Sequence, residues 1–169
     1  MKKLIIILSL ILFFLLCVLG NASGENLIVI KAKAEIGNGE TEKNNAGPDV
    51  RRYTRGRNVA WCAGFASYIL QESNVYLFKY SLSAKAIYNE AKIKGRITDN
   101  PMKGDLIVFN RGNPKSWQAH IGIIEKVDST HIYTIEGNVE RYPATVERFT
   151  YNRDSIKNLL GYIKTGKSF

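Results

Sequence analysis

Cysteine and histidine are both scarce in this sequence: 169 residues hold two of each. Two cysteines cannot build the cross-links that hold a disulfide-dense scaffold together. Four prolines, with no repeat and no low-complexity tract, exclude collagen-like and linker-dominated chains. No pair of metal ligands has the spacing of a zinc site on a helix, which leaves a zinc hydrolase without support. Zinc-finger spacing, an RNA-binding signature and a basic-region helix are missing too, so a nucleic-acid role would rest on charge alone, and no nucleic-acid partner is expected. The rest has an ordinary composition, 45% hydrophobic and 23% charged. A chain of this length forms one domain and buries about two-thirds of its unfolded surface.

The apolar residues are unevenly spread. Met1-Lys2-Lys3 precedes an almost unbroken apolar run from Leu4 to Leu19, followed by Gly20-Asn21-Ala22-Ser23. A basic start, an apolar stretch and small residues before a cut after Ala22 are the parts of a secretory signal. The run is about sixteen residues long, short of the ~20 that span a bilayer. The pattern predicts a signal peptide over 1–22 and an exported domain over 23–169, bound for the periplasm, the cell envelope or the medium. An uncleaved anchor is the competing reading, and only that reading brings the membrane in as a partner. Cys17 offers a lipoprotein signal as a third, but Leu16 stands where a small residue is wanted.

Cleavage would remove Cys17 and leave Cys62 as the single thiol. It would also remove Lys2 and Lys3, taking the net charge from +9 to +7. An exported protein with one cysteine forms no internal disulfide, and its thiol meets oxidants. Cys62 is therefore a candidate for a reactive role, with a buried inert thiol as the alternative. The excess of positive charge attracts anionic polymers such as acidic wall glycans. The one local cluster, Arg51, Arg52, Arg55 and Arg57, reads as a solvated loop.

Periodicity divides the exported part into helices first and strands afterwards. Asn26 to Ile36, Ala60 to Glu72 and a segment capped by Ser83 and stopped by Gly95 read as helices, with a polar loop from Asn38 to Asp49. Cys62, Phe65, Ala66 and Ile69 share one helix face. Asp105 to Phe109, His120 to Val127, His131 to Glu136, Thr145 to Tyr151 and Leu159 to Lys164 read as strands, the second and third forming a hairpin across Asp128-Ser129-Thr130. This order predicts an α+β domain with the helices on one side of an antiparallel sheet.

Cys62 falls in the first turn of its helix, where the partial positive charge and free N–H groups favour a thiolate and can hold an oxyanion. The Cys62 amide is the first candidate donor. A thiol nucleophile needs a base, and His120 begins a strand just after a polar loop. His131 lies at the opposite end of the hairpin and reads as structural. Antiparallel return of the hairpin brings Glu136 and Asn138 back to the level of His120, where either can orient an imidazole. A merely polar loop end is the bland alternative. Tyr53, Trp61 and Trp117 are candidates for lining a sugar or peptide groove, with a place in the core as their alternative.

WCAGF at 61–65, GDLIVF at 104–109, AHIGII at 119–124 and IEGN at 135–138, in this order, resemble the CHAP family of cysteine, histidine-dependent amidohydrolases and peptidases. The lead-in from Glu35 to Tyr53 is similar to a bacterial and phage branch of that family. The resemblance covers nearly the whole chain after residue 22. It implies a papain-like α+β fold that hydrolyses amide bonds of peptidoglycan stem peptides, as an N-acetylmuramoyl-L-alanine amidase or an endopeptidase. By it, Cys62 is the nucleophile, His120 the general base, Glu136 the orienting group and Asn138 an accessory member. Some family members hold calcium in an acidic loop before the cysteine. Here that stretch offers only Asp49 among arginines, so no metal and no cofactor is expected. Peptidoglycan is the expected partner and a monomer the expected state. A cysteine amidohydrolase acting on another amide, a wall-targeting toxin and a non-catalytic wall-binding module are the rival readings.

Overall fold

The computed structural model describes residues 26–113, 115–139 and 141–166; the expected signal peptide lies outside them. Among the described residues are four helices: α1 (Leu27–Ala34), α2 (Pro48–Thr54), α3 (Cys62–Glu72) and α4 (Ala84–Ile93). The strands are β1 (Ile97–Thr98), β2 (Leu106–Asn110), β3 (Ala119–Val127), β4 (His131–Glu136), β5 (Glu147–Asn152) and β6 (Leu159–Ile163). They form one antiparallel sheet in the order β1-β6-β2-β3-β4-β5. No helix among the described residues is long and apolar enough to cross a membrane.

Local chemistry explains the helix ends. The Asn26 side chain accepts from the Ile28 amide at α1, and Ser83 accepts from the Ala86 amide at α4. Helix α2 was not expected; it occupies the end of the polar stretch and starts with Pro48, whose fixed φ suits the first turn. Helix α3 begins at Cys62 rather than Ala60, and Trp61 is its cap.

The sheet is covered on both faces. Helices α1, α3 and α4 lie against β3, and α2 lies against α3. Ile28, Phe65, Ile69 and Ile87 fill the space over Leu106, Val108, Ile121, Ile123 and Ile135. Ile107, Phe109, Ile124, Ile132 and Tyr162 form a smaller cluster on the other face, flanked by Tyr151 of β5 and Ile156 after the 3₁₀ turn Arg153–Ser155. Burial on both sides explains why β2 reads as an unbroken apolar run instead of an alternating one.

A thiol, an imidazole and a carboxylate at the end of the sheet

Cys62 is the first residue of α3, and the end of β4 holds it there. No Trp61 side-chain atom caps the helix. Instead the Trp61 amide donates to Asn138 Oδ1 at 3.0 Å, across the fold. The indole Nε1–H donates to Glu40 Oε1 at 3.1 Å, and the ring lies against Gly137. A Cβ at Gly137 would come within 2.3 Å of that ring, so only glycine admits Trp61 here. The amides of the first turn, that of Cys62 included, have no acceptor within the helix.

His120 is carried by β3 and pairs in register with Phe109 of β2, their rings stacked 6.1 Å apart. The register that sets Ile123 opposite Ile135 brings Glu136 over Gly122. A Cβ on Gly122 would lie 2.6 Å from Glu136 Cγ, so its absence is what admits the carboxylate. Glu136 Oε2 then sits 2.7 Å from His120 Nε2. Thr134 Oγ1 donates to Glu136 Oε1 at 2.5 Å, and the carboxylate helps to push the nearby Tyr151 hydroxyl up. Glu136 is wholly buried.

With Nε2 engaged by Glu136, Nδ1 is the ring nitrogen left for the thiol, and His120 and Cys62 each act on the other's protonation. Burial opposes charge on both. For Cys62 it is outweighed by the bond and charge of His120, the Arg111 charge and the Ile121 amide, so the thiol falls below its ordinary value. For His120 it is outweighed by the bonds and charges of Cys62 and Glu136, and the ring is pushed up to about 9. Both shifts favour a thiolate–imidazolium pair. Arg111 Nη2 lies 3.2 Å from the same Nδ1, a contact that suits a neutral ring with a free lone pair. The guanidinium and the thiol thus compete for one atom.

The CHAP-domain family model matches residues 53–138, a span that begins before α2 ends and closes just past Glu136. The chain belongs to the CHAP family. Two solved structures share its fold, and their low identity makes the likeness one of fold alone. The crystal structure of Ly7917 has a TM-score of 0.53 at 16% identity, over 85% of this chain and 63% of that one. Ly7917 with the hydrolyzing product of MDP gives 0.51 at 18%, over 83% and 62%. This chain therefore spans less than two-thirds of the length of those it matches. No curated protein matches it in sequence. The fold is α+β and papain-like, with the N-terminal helices on an antiparallel sheet.

Not every residue proposed from the sequence meets at the CHAP site. Cys62, His120 and Glu136 do. Asn138 lines the groove over Cys62, and its side-chain hydrogen bonds run away from the imidazole. Its side chain serves Trp61, and its Nδ2 reaches Asn45 Oδ1 at 3.1 Å and Glu40 Oε1 at 3.4 Å. Trp117 is 77% exposed and lines the Cys62 groove. Tyr53 and Trp61 are corrected: both are fully buried and stacked on each other 5.5 Å apart, so neither lines a groove. The Tyr53 hydroxyl donates to Glu35 Oε2 at 2.5 Å. His131 lies at the turn end of the hairpin beside Thr130. Asp49 is ion-paired with Arg52 at 3.2 Å.

Two residues escaped the sequence reading. Arg111 is one of 24 basic residues, in a loop without a motif. Glu40 lies in a Gly- and Asn-rich stretch, yet it is buried and accepts from Trp61 Nε1, the Asn45 amide and the Ala144 amide. Nothing short of the fold brings those donors together.

Proposed function

We propose that this chain is a thiol hydrolase that cleaves amide bonds in the stem peptide of peptidoglycan, as an N-acetylmuramoyl-L-alanine amidase or an endopeptidase, and that it works outside the cytoplasm. The observation that carries the reading is Cys62 on the wall of a groove, with His120 and Glu136 behind it, in a CHAP fold. The fold shared with Ly7917, solved with the hydrolyzing product of MDP, supports a wall-peptide substrate. Export is supported by the basic start and apolar run of residues 1–22.

The chemistry follows from the groups present. His120 takes the proton of Cys62, and the thiolate attacks the carbonyl carbon of the scissile amide. The oxyanion is held by first-turn amides of α3, that of Cys62 first. His120 then protonates the leaving amine, and a thioester remains on Cys62. Water, deprotonated by the same imidazole, hydrolyses it. Glu136 keeps Nε2 protonated and the ring aimed at the sulfur. Asn138 and Glu40 hold the start of α3 in place, and Trp117 forms the groove rim.

Purified protein should release soluble fragments from peptidoglycan sacculi, and mass spectrometry of those fragments names the bond. A free muramic lactyl group identifies an amidase, and a new amino terminus within the peptide identifies an endopeptidase. Intact sacculi after prolonged digestion would refute the reading.

A further inference from the structure

Arg111 stands where two cavities meet. One, of about 170 Å³, is the groove over Cys62, with Trp117 and Asn138 on its walls. The other, of about 450 Å³, lies beyond His120 and Glu136 and is walled in part by Tyr151 and Lys157. Arg111 lines both. It is exposed, and among the described residues no carboxylate lies within ion-pairing distance of it. Lys157 is exposed and equally without an acidic partner among the described residues. The one carboxylate on the second cavity's wall among the described residues, Glu136, is already occupied by His120 and Thr134.

The hydrogen bonds of Arg111 sharpen this. Its Nη2 reaches His120 Nδ1 at 3.2 Å and the Asn138 carbonyl at 3.5 Å. A guanidinium only donates. Its contact with Nδ1 therefore uses the lone pair that must receive the Cys62 proton. Once Nδ1 is protonated, two donors face each other. Arg111 needs a different acceptor in the working state, and one within reach of both cavities.

We propose that Arg111 and the second cavity form a carboxylate subsite, so that the preferred substrate is a peptide with a free carboxylate near the scissile amide. The paired N–H groups of Arg111 grip that carboxylate, and the acidic arm continues toward Lys157. The substrate carboxylate thus gives the guanidinium an acceptor in place of Nδ1, which carries the thiol proton in the thiolate–imidazolium pair. An amidated peptide lacks the charge and binds less well. This assignment rests on the hydrolase reading for its substrate class, yet it can be tested without turnover.

Alkylation of Cys62 by iodoacetamide reports occupancy of the groove. The full chain would be alkylated in the presence of either of two short stem peptides, identical except that one bears a free carboxylate and the other a carboxamide. The acid form should protect at a concentration about tenfold lower than the amide form. Arg111→Gln should bring the two within about twofold, and Arg111→Lys, which keeps the charge without the fork, should retain part of the preference. Equal protection by the two peptides in the unaltered chain, or an undiminished preference in Arg111→Gln, overturns the subsite. Sacculus digestion run alongside separates the claims. Preference without digestion removes the hydrolase reading alone, and digestion without preference removes the subsite alone.

Discussion

A thiol removed from water ordinarily resists ionisation, and Cys62 is only 8% exposed. Its neighbours reverse the balance. The hydrogen bond from His120, two nearby cations and the Ile121 amide favour the thiolate, while Glu136 favours the imidazolium. The rate of Cys62 alkylation should therefore hold at pH values below the ordinary thiol value of 9.0 and fall only toward acid, as the thiolate is protonated. Turnover should be lost on the alkaline side, as pH rises through about 9 and His120 loses the proton it gives to the leaving amine. Glu136→Gln removes the charge that holds the imidazolium, so the onset of alkylation should move to higher pH and kcat should drop by ~10²-fold or more. An unchanged alkylation profile in that variant would deny Glu136 its role. At this scale the sequence was informative where spacing constrains geometry. The hairpin alone brings position 136 back to position 120. Tyr53 and Trp61 were misplaced because an aromatic side chain serves equally well in a core or a groove, and their neighbours in sequence do not distinguish the two. Arg111 was illegible because its meaning lies in the two cavities it joins.

Among elements, the join that matters is between the start of α3 and the end of β4, and Glu40 fastens it. Its carboxylate receives donors from the Trp61 indole, the Asn45 amide and the Ala144 amide, segments far apart in sequence. Glu40→Ala should leave these buried donors unpaired and lower the unfolding free energy by about 3 kcal/mol. Glu40→Gln, which keeps an acceptor, should recover much of the loss. Chemical denaturation measures both, and an alanine variant as stable as the parent would show that water or repacking replaces the carboxylate. Strong local signals made most elements readable: a cap at Ser83, apolar residues at three- and four-residue steps along α3, and a three-residue turn between β3 and β4. Helix α2 was missed because its Gly- and Asn-rich approach reads as loop, although Pro48 at its first turn was a usable sign. Strand β1 has two residues, too few to show any period.

Over the whole molecule, the helices-then-strands order foretold the α+β architecture. It did not foretell the second apolar cluster: the unbroken apolar run of β2 is its sign, but the segments that cover that face, around Tyr151 and Ile156, lie far away in sequence. The charge of +9 is a property of the whole chain and belongs to association rather than to fold. If the anionic wall draws the protein in, digestion of sacculi should slow several-fold as the Debye length contracts from about 10 Å at 0.1 M salt to about 3 Å at 1 M. Hydrolysis of a short uncharged peptide amide should change far less. Equal sensitivity of the two would place the salt effect in the catalytic step.

The covalent step tests the central claim most directly. Protein quenched with acid during turnover of a stem-peptide substrate should carry the mass of the acyl fragment, and digestion should locate it on Cys62 as a thioester. Cys62→Ala should carry none and release no product. Product formed by the Cys62→Ala protein, or an adduct located elsewhere, would contradict the account.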